Sequence, residues 1–182
     1  MTGDSEIWLK PVCMVKDPFR QNCNAVLVLC ETFLHDKETP ARFNFRHISN
    51  KIMEEAKGQD PWFGIEQEFF LTQKNGSRPL GWPKDGYPAP QGQYYCGVGA
   101  SNAIGRSVMD AAYRCFLYAG LQISGINAEV APAQWEYQVG ITKGIECGDH
   151  MWLARYIMGR VAERFDCDCD FEPKPVKGTQ RN

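Results

Sequence analysis

No stretch of the 182-residue chain approaches 18 consecutive apolar residues, which excludes a membrane-spanning helix and makes the membrane an unexpected partner. The N-terminus, with Asp4, Glu6, Trp8, Lys10 and Pro11, lacks the basic-then-apolar layout of an export leader, so a cytoplasmic protein is expected. Positive charge is not in excess: 20 basic against 22 acidic side chains leave a net charge of −2, which argues against nucleic acid as a partner. Eight cysteines are present but no Cys-x-x-Cys pair, and the three histidines lie far from Cys167-Asp168-Cys169. Neither a disulfide framework nor a zinc ligand spacing is therefore indicated. The cysteines are expected to be small buried hydrophobes in a reducing compartment, with Cys167-Asp168-Cys169 on a surface strand. There is no Gly-rich Lys-Ser/Thr phosphate loop, and Gly97-Val98-Gly99 is too short to count as one. No Ser–His or Cys–His nucleophile arrangement stands out, and His47 and His150 read as core or surface residues.

What is present is the material for a core. Five Trp, seven Tyr and ten Phe within a 43% apolar composition exclude general disorder. One domain is expected at this length, able to bury roughly 70% of the unfolded surface. Residues 7–15 and 26–32 read as strands joined by the turn-rich 17–22. Residues 40–56 read as a helix with Phe45, Ile48, Ile52 and Ala56 on one stripe. Residues 62–71 form a strand, and 76–99, rich in Gly and Pro, an ordered loop of functional length. A helix carrying Val108, Ala111, Ala112, Cys115, Phe116 and Ala119 stops at Gly120. Strands at 126–130 and 134–139 flank Pro132, and Asp149 is expected to cap a helix striped by Met151, Ala154, Ile157, Met158, Val161 and Phe165. A last strand covers 167–171. The alternation predicts an α+β fold with antiparallel strand neighbours. It occupies residues 1–172, ahead of a polar tail at 173–182 that is expected to be disordered.

The chemistry lies in carboxylates. In the strand Phe63-Gly64-Ile65-Glu66-Gln67-Glu68-Phe69-Phe70-Leu71, alternation puts Glu66 and Glu68 on one face and Ile65, Phe69 and Leu71 on the other. Glu129, and Glu136 opposite Trp135, Tyr137 and Val139, add acids from two further segments. Such acids either face bulk water or converge on divalent cations, whose hard oxygen ligands they would supply. Trp62, just before the strand, either stacks on a base or packs in the core.

These residues fall into longer motifs. Pro61-Trp62-Phe63-Gly64-Ile65-Glu66-Gln67-Glu68 resembles the metal-binding strand of glutamine synthetase. The resemblance continues in Gly81-Trp82-Pro83, in Pro90 through Gly99, in Asn127 through Gln138, and in Gly148-Asp149-His150-Met151-Trp152, in the family's order and spacing. It covers the chain from about Trp8 to Gly178 and is closest to the eukaryotic, decamer-forming type. It implies part of a catalytic domain: a curved, mainly antiparallel sheet with helices on its outer side. It also implies ATP-dependent joining of ammonia to L-glutamate, the γ-carboxylate attacking the terminal phosphate and ammonia displacing phosphate from γ-glutamyl phosphate. The cofactor implied is Mg²⁺ or Mn²⁺, with ATP as co-substrate. By motif, Glu68, Glu129 and Glu136 resemble the ligands of one cation and Glu66 a ligand of a second. Trp62 resembles the adenine-side aromatic, and Glu136, Tyr137, Gln138, Val139, Gly140 and Ile141 the stretch along the nucleotide, with Ile141 where the family has Pro. No catalytic residue beyond these ligands is assigned.

The chain departs from the pattern after Pro173-Lys174-Pro175, where the family's Gly-rich segment gives way to Val176 through Asn182. The family's further metal ligands, phosphate-binding Arg residues and small β-grasp domain are expected to be missing, with apolar faces left open. Two readings follow: part of a working, homo-oligomeric glutamine synthetase, or a truncated non-catalytic paralogue that binds metal or nucleotide or docks with full-length subunits. A two-metal nuclease is disfavoured, since no Lys stands beside the acids and no basic groove is evident.

Overall fold

The computed structural model describes residues 6–76, 78–90 and 92–176. Gln91 of the Pro90-Gln91-Gly92 motif, the N-terminal positions through residue 5 and positions 177–182 of the expected tail lie outside the described residues.

Two strands, β1 (Trp8–Lys16) and β2 (Val26–Phe33), form a separate antiparallel sheet, with a register shift between Pro11 and Cys13. Its inner face packs Cys13, Val15, Leu27 and Leu29 against the main core. Its outer face leaves Leu9, Met14, Val26 and Val28 in solvent.

The helix α1 (Phe45–Glu55) begins later than residue 40. Pro40 bridges to Phe33, the Ala41 amide donates to the Thr32 carbonyl, and the Asn44 side-chain amide donates to that same carbonyl. The chain is thus held along β2 until Asn44 caps the helix by accepting from the His47 amide. The apolar stripe of α1 does not face the core: no residue of the helix is buried, and Phe45 is 67% exposed.

The main sheet is wholly antiparallel, in the order β4-β5-β3-β6. Its strands are β3 (Trp62–Gln73), β4 (Ile123–Ala128), β5 (Gln134–Lys143) and β6 (Cys167–Asp170). Two helices cover one face: α2 (Arg106–Ala119), ended by Gly120 at φ 84, and α3 (Glu146–Arg164). Phe69, Leu71, Trp135, Tyr137 and Val139 meet Met109, Ala112 and Phe116 of α2 and Ala154, Ile157 and Met158 of α3 in a single core. The period-2 pattern of β3 and β5 therefore decides which face is dry and which carries the acids.

Several local expectations are corrected. Asp149 lies within the first turn of α3, not at its cap, which is Ile145; its carboxylate instead takes Arg46. Phe165 falls past the helix and is exposed. β4 ends at Ala128, because the Glu129 amide donates to the Gln134 carbonyl and turns the chain there. All eight cysteines are free, but Cys23 and Cys96 are exposed rather than buried. Cys167 lies on a strand as expected, yet turns inward, its thiol reaching the Ala162 carbonyl of α3. The loop 76–99 folds back on the sheet: the Trp82 indole donates to the Pro132 carbonyl, and the Cys96 amide to that of Ala128.

Candidate functional site

The face of the sheet away from the helices is built strand by strand. On β3, alternation puts Trp62, Gly64, Glu66 and Glu68 in one exposed row. Glu68 pairs directly with Glu136 on β5, and Glu136 with Asn127 on β4. Glu66 pairs with Gln138, and Trp62 with Lys143. Direct antiparallel partners share a face at Cβ separations of about 5 Å, so Glu68, Glu136 and Asn127 stand side by side.

Glu129 joins them from the turn after β4. Its carboxylate accepts from the Asn127 side-chain amide and the Val130 backbone amide, both at 3.1 Å, and it lies within hydrogen-bonding reach of Glu136. Glu129 and Glu136 are only 9% and 6% exposed. Burial pushes the Glu129 carboxyl up from its ordinary value; the charges of Glu136 and Glu68 add to this, while the Val130 amide opposes it. Neutral amides satisfy the rest: Gln134 Nε2 donates to Glu68 at 2.7 Å, and Gln138 Nε2 donates to Glu136 and, at 2.6 Å, to Asn127. No ion pair among the described residues involves Glu66, Glu68, Glu129 or Glu136.

Half-buried negative charge without a cationic neighbour, offered by oxygen donors alone, fits a hard divalent ion. As the side chains stand, no three acid, histidine or cysteine groups among the described residues close to ion-holding distance. The backbone nonetheless brings Glu68 and Glu136 together as direct cross-strand partners. Glu66 stands apart from this group, one step of about 7 Å along β3.

The expected nucleotide stretch divides. Tyr137 and Val139 are buried in the core, so their side chains cannot line a nucleotide path; they can offer only backbone. Gln138 and Glu136 face the acid side, and Ile141 is exposed. At Gly140 (φ 142) an added Cβ would stand 2.9 Å from the Phe63 carbonyl, since β5 runs close to β3 at the register shift between Phe63 and Ile65. Above Gly64 there is open space. Trp62 does not pack in the core: it is 59% exposed, its indole N–H donating to Asp60 at 3.0 Å.

Sequence reasoning missed Asn127 and Gln134 as site residues, although the alternation that placed Glu136 puts Gln134 on the same face; Gln138, expected along the nucleotide, also donates to Glu136 and Asn127. Sequence reasoning also missed a buried network in which Arg46 grips Asp149 through two nitrogens (2.7 and 2.8 Å) and Glu31 through a third (2.7 Å). No sequence signal links positions 31, 46 and 149. His47 approaches Glu31 at 3.6 Å, and His150 accepts the Gln122 amide, both in structural roles.

This fold is shared by two solved structures, "Apo GmaS without ligand" (TM-score 0.75) and "GmaS/ADP complex-Conformation 1" (TM-score 0.74). Each is 20% identical; the first covers 98% of this chain and 41% of its own, the second 97% and 40%. The family itself is shown by sequence: the model "Glutamine synthetase, catalytic domain" matches residues 42–182, and the chain belongs to that family. The β1–β2 hairpin precedes the matched span. The glutamine synthetase of Mus musculus is 52% identical over 176 residues, covering 97% of this chain and 46% of its own length. That of Neurospora crassa is 53% identical over 175 residues, covering 96% and 48%. The chain thus spans about half the length of the curated relatives it matches.

Proposed function

We propose that this chain carries part of the active site of an ATP-dependent glutamate–ammonia ligase acting in the cytoplasm. The observation that carries the reading is the acid face: Glu68, Glu136 and Glu129 meeting from three segments, with Glu66 and then Trp62 following along one strand. In this reading Glu68, Glu129 and Glu136 hold one Mg²⁺ or Mn²⁺ and Glu66 contributes to a second. Bound there, the ions would neutralise phosphate charge. Trp62 would meet the base of ATP and Glu66, further along the same row, would serve its phosphates, with open space at Gly64 between them. The acid face would hold L-glutamate and ammonia near the terminal phosphate, where proximity lowers the barrier. Gln134, Gln138 and Asn127 orient the carboxylates.

The whole protein's homo-oligomeric state, a decamer, belongs to the same proposal. The open faces of β1–β2 and α1 also support a second reading, a non-catalytic chain that docks with full-length subunits. Mn²⁺ calorimetry tests the site: heat in the wild type, lost in Glu129→Ala, is expected, and no heat in either would remove the metal site. ADP release that requires both glutamate and ammonia separates ligase from docking chain.

A further inference from the structure

The Trp62 end of the acid face is more built than an exposed aromatic needs. The same Asp60 oxygen accepts the indole N–H at 3.0 Å and the Lys143 ammonium at 2.9 Å. That ammonium lies 5.2 Å from the centre of the Trp62 ring. The arrangement does not rest on long side chains meeting by chance. Lys143 is the cross-strand partner of Trp62, and Asp60 closes the short 3-10 turn Lys57–Gln59 in a left-handed conformation, φ 46. Lys143 and the indole hold the Asp60 carboxyl below its ordinary range, so it stays ionised at neutral pH. An indole so held keeps one ring face under a cation and presents the other in a fixed plane. Fixing it beforehand removes an ordering cost from any planar ligand that stacks there.

We propose that Asp60 and Lys143 are positioning residues that hold Trp62 for a purine base, so that they set affinity for the base and not for the phosphates. This rests on the nucleotide reading of the site. Lys143 stands at the far end of the row from Glu66, which puts its charge beside the base rather than on the triphosphate.

The test compares binding of Mn²⁺·ATP with binding of Mn²⁺·triphosphate, which lacks the base, on the full chain. Trp62→Ala should weaken ATP binding by roughly 5- to 100-fold, the range of a base–aromatic stack. Lys143→Met and Asp60→Asn should each weaken it by roughly 3- to 10-fold and leave triphosphate affinity unchanged. Lys143→Arg should keep wild-type affinity, and neither variant should add to the loss in the Trp62→Ala background. If Trp62→Ala weakens ATP binding while Lys143→Met and Asp60→Asn do not, the positioning role is refuted and the nucleotide reading stands. Equal loss of triphosphate affinity also refutes it. A wild-type chain that binds ATP no better than triphosphate overturns both.

Discussion

At the residue scale the site shows the conflict between function and stability most plainly at Glu129. Its folded-state pKa lies above the unfolded value of 4.5, because burial and two neighbouring carboxylates disfavour its charge. Below pH 4.5 it is protonated in both states and costs nothing. As pH rises from 4.5 towards the folded value, only the unfolded state ionises, so the penalty grows, and it stands at its full size once pH passes the folded value. Glu129→Gln should therefore raise Tm at pH 7, by an amount that shrinks towards pH 4.5, while abolishing Mn²⁺ binding. Thermal melts at the two pH values check this; a lower Tm at pH 7 would show that the carboxylate stabilises the fold. The residue itself was legible as a candidate, although it lies in the turn after β4, where alternation does not fix its direction. Its partners were not, because Asn127 and Val130 reach it through a turn whose geometry the amino-acid order does not dictate.

At the element scale the notable device is the Arg46 clamp, which ties β2, α1 and α3 through Glu31 and Asp149. α1 buries none of its own apolar residues, so this network is much of what docks it. Arg46→Met leaves the buried Asp149 carboxylate unpaired and Glu31 with only His47 at 3.6 Å, and should cost about 3–5 kcal/mol. Replacing Glu31, Arg46 and Asp149 together with apolar residues should recover most of that loss, since no buried charge then remains. Urea unfolding of the two variants measures the difference, and equal stability would show the network to be solvated. Secondary structure itself was largely legible: β3, α2 with its Gly120 stop, and the paired strands all follow hydrophobic period. Asp149 misled because an acidic residue near a helix start is the usual cap signal, whereas α3 begins three residues earlier, at Glu146, and leaves Asp149 inside its first turn.

At the scale of the whole molecule, large apolar side chains stand in solvent: Leu9, Met14, Val26 and Val28 on the hairpin, Phe45, Ile48 and Ile52 on α1, and Trp152 at a cleft of about 460 Å³ between them and α3. Faces of this kind are ordinarily covered. The chain in isolation should therefore self-associate with concentration in light scattering. Leu9→Lys with Met14→Lys should reduce that association while changing Tm by no more than about 2 °C, as expected of exposed sites. A monodisperse wild-type monomer would count against this account.

By itself, the amino-acid order determined the elements, the antiparallel α+β class, and the face of each strand on which the glutamates lie. These are local consequences of periods of 2 and 3.6, and they need no knowledge of what packs where. Only the tertiary structure decided that Glu129 would touch Glu136, that Arg46 would reach across to Asp149, that Tyr137 and Val139 would be sealed in the core, and that Lys143 would lie over Trp62. Each of these depends on pairing register and on contacts between positions far apart in the chain, where many arrangements satisfy the same local pattern and packing selects one.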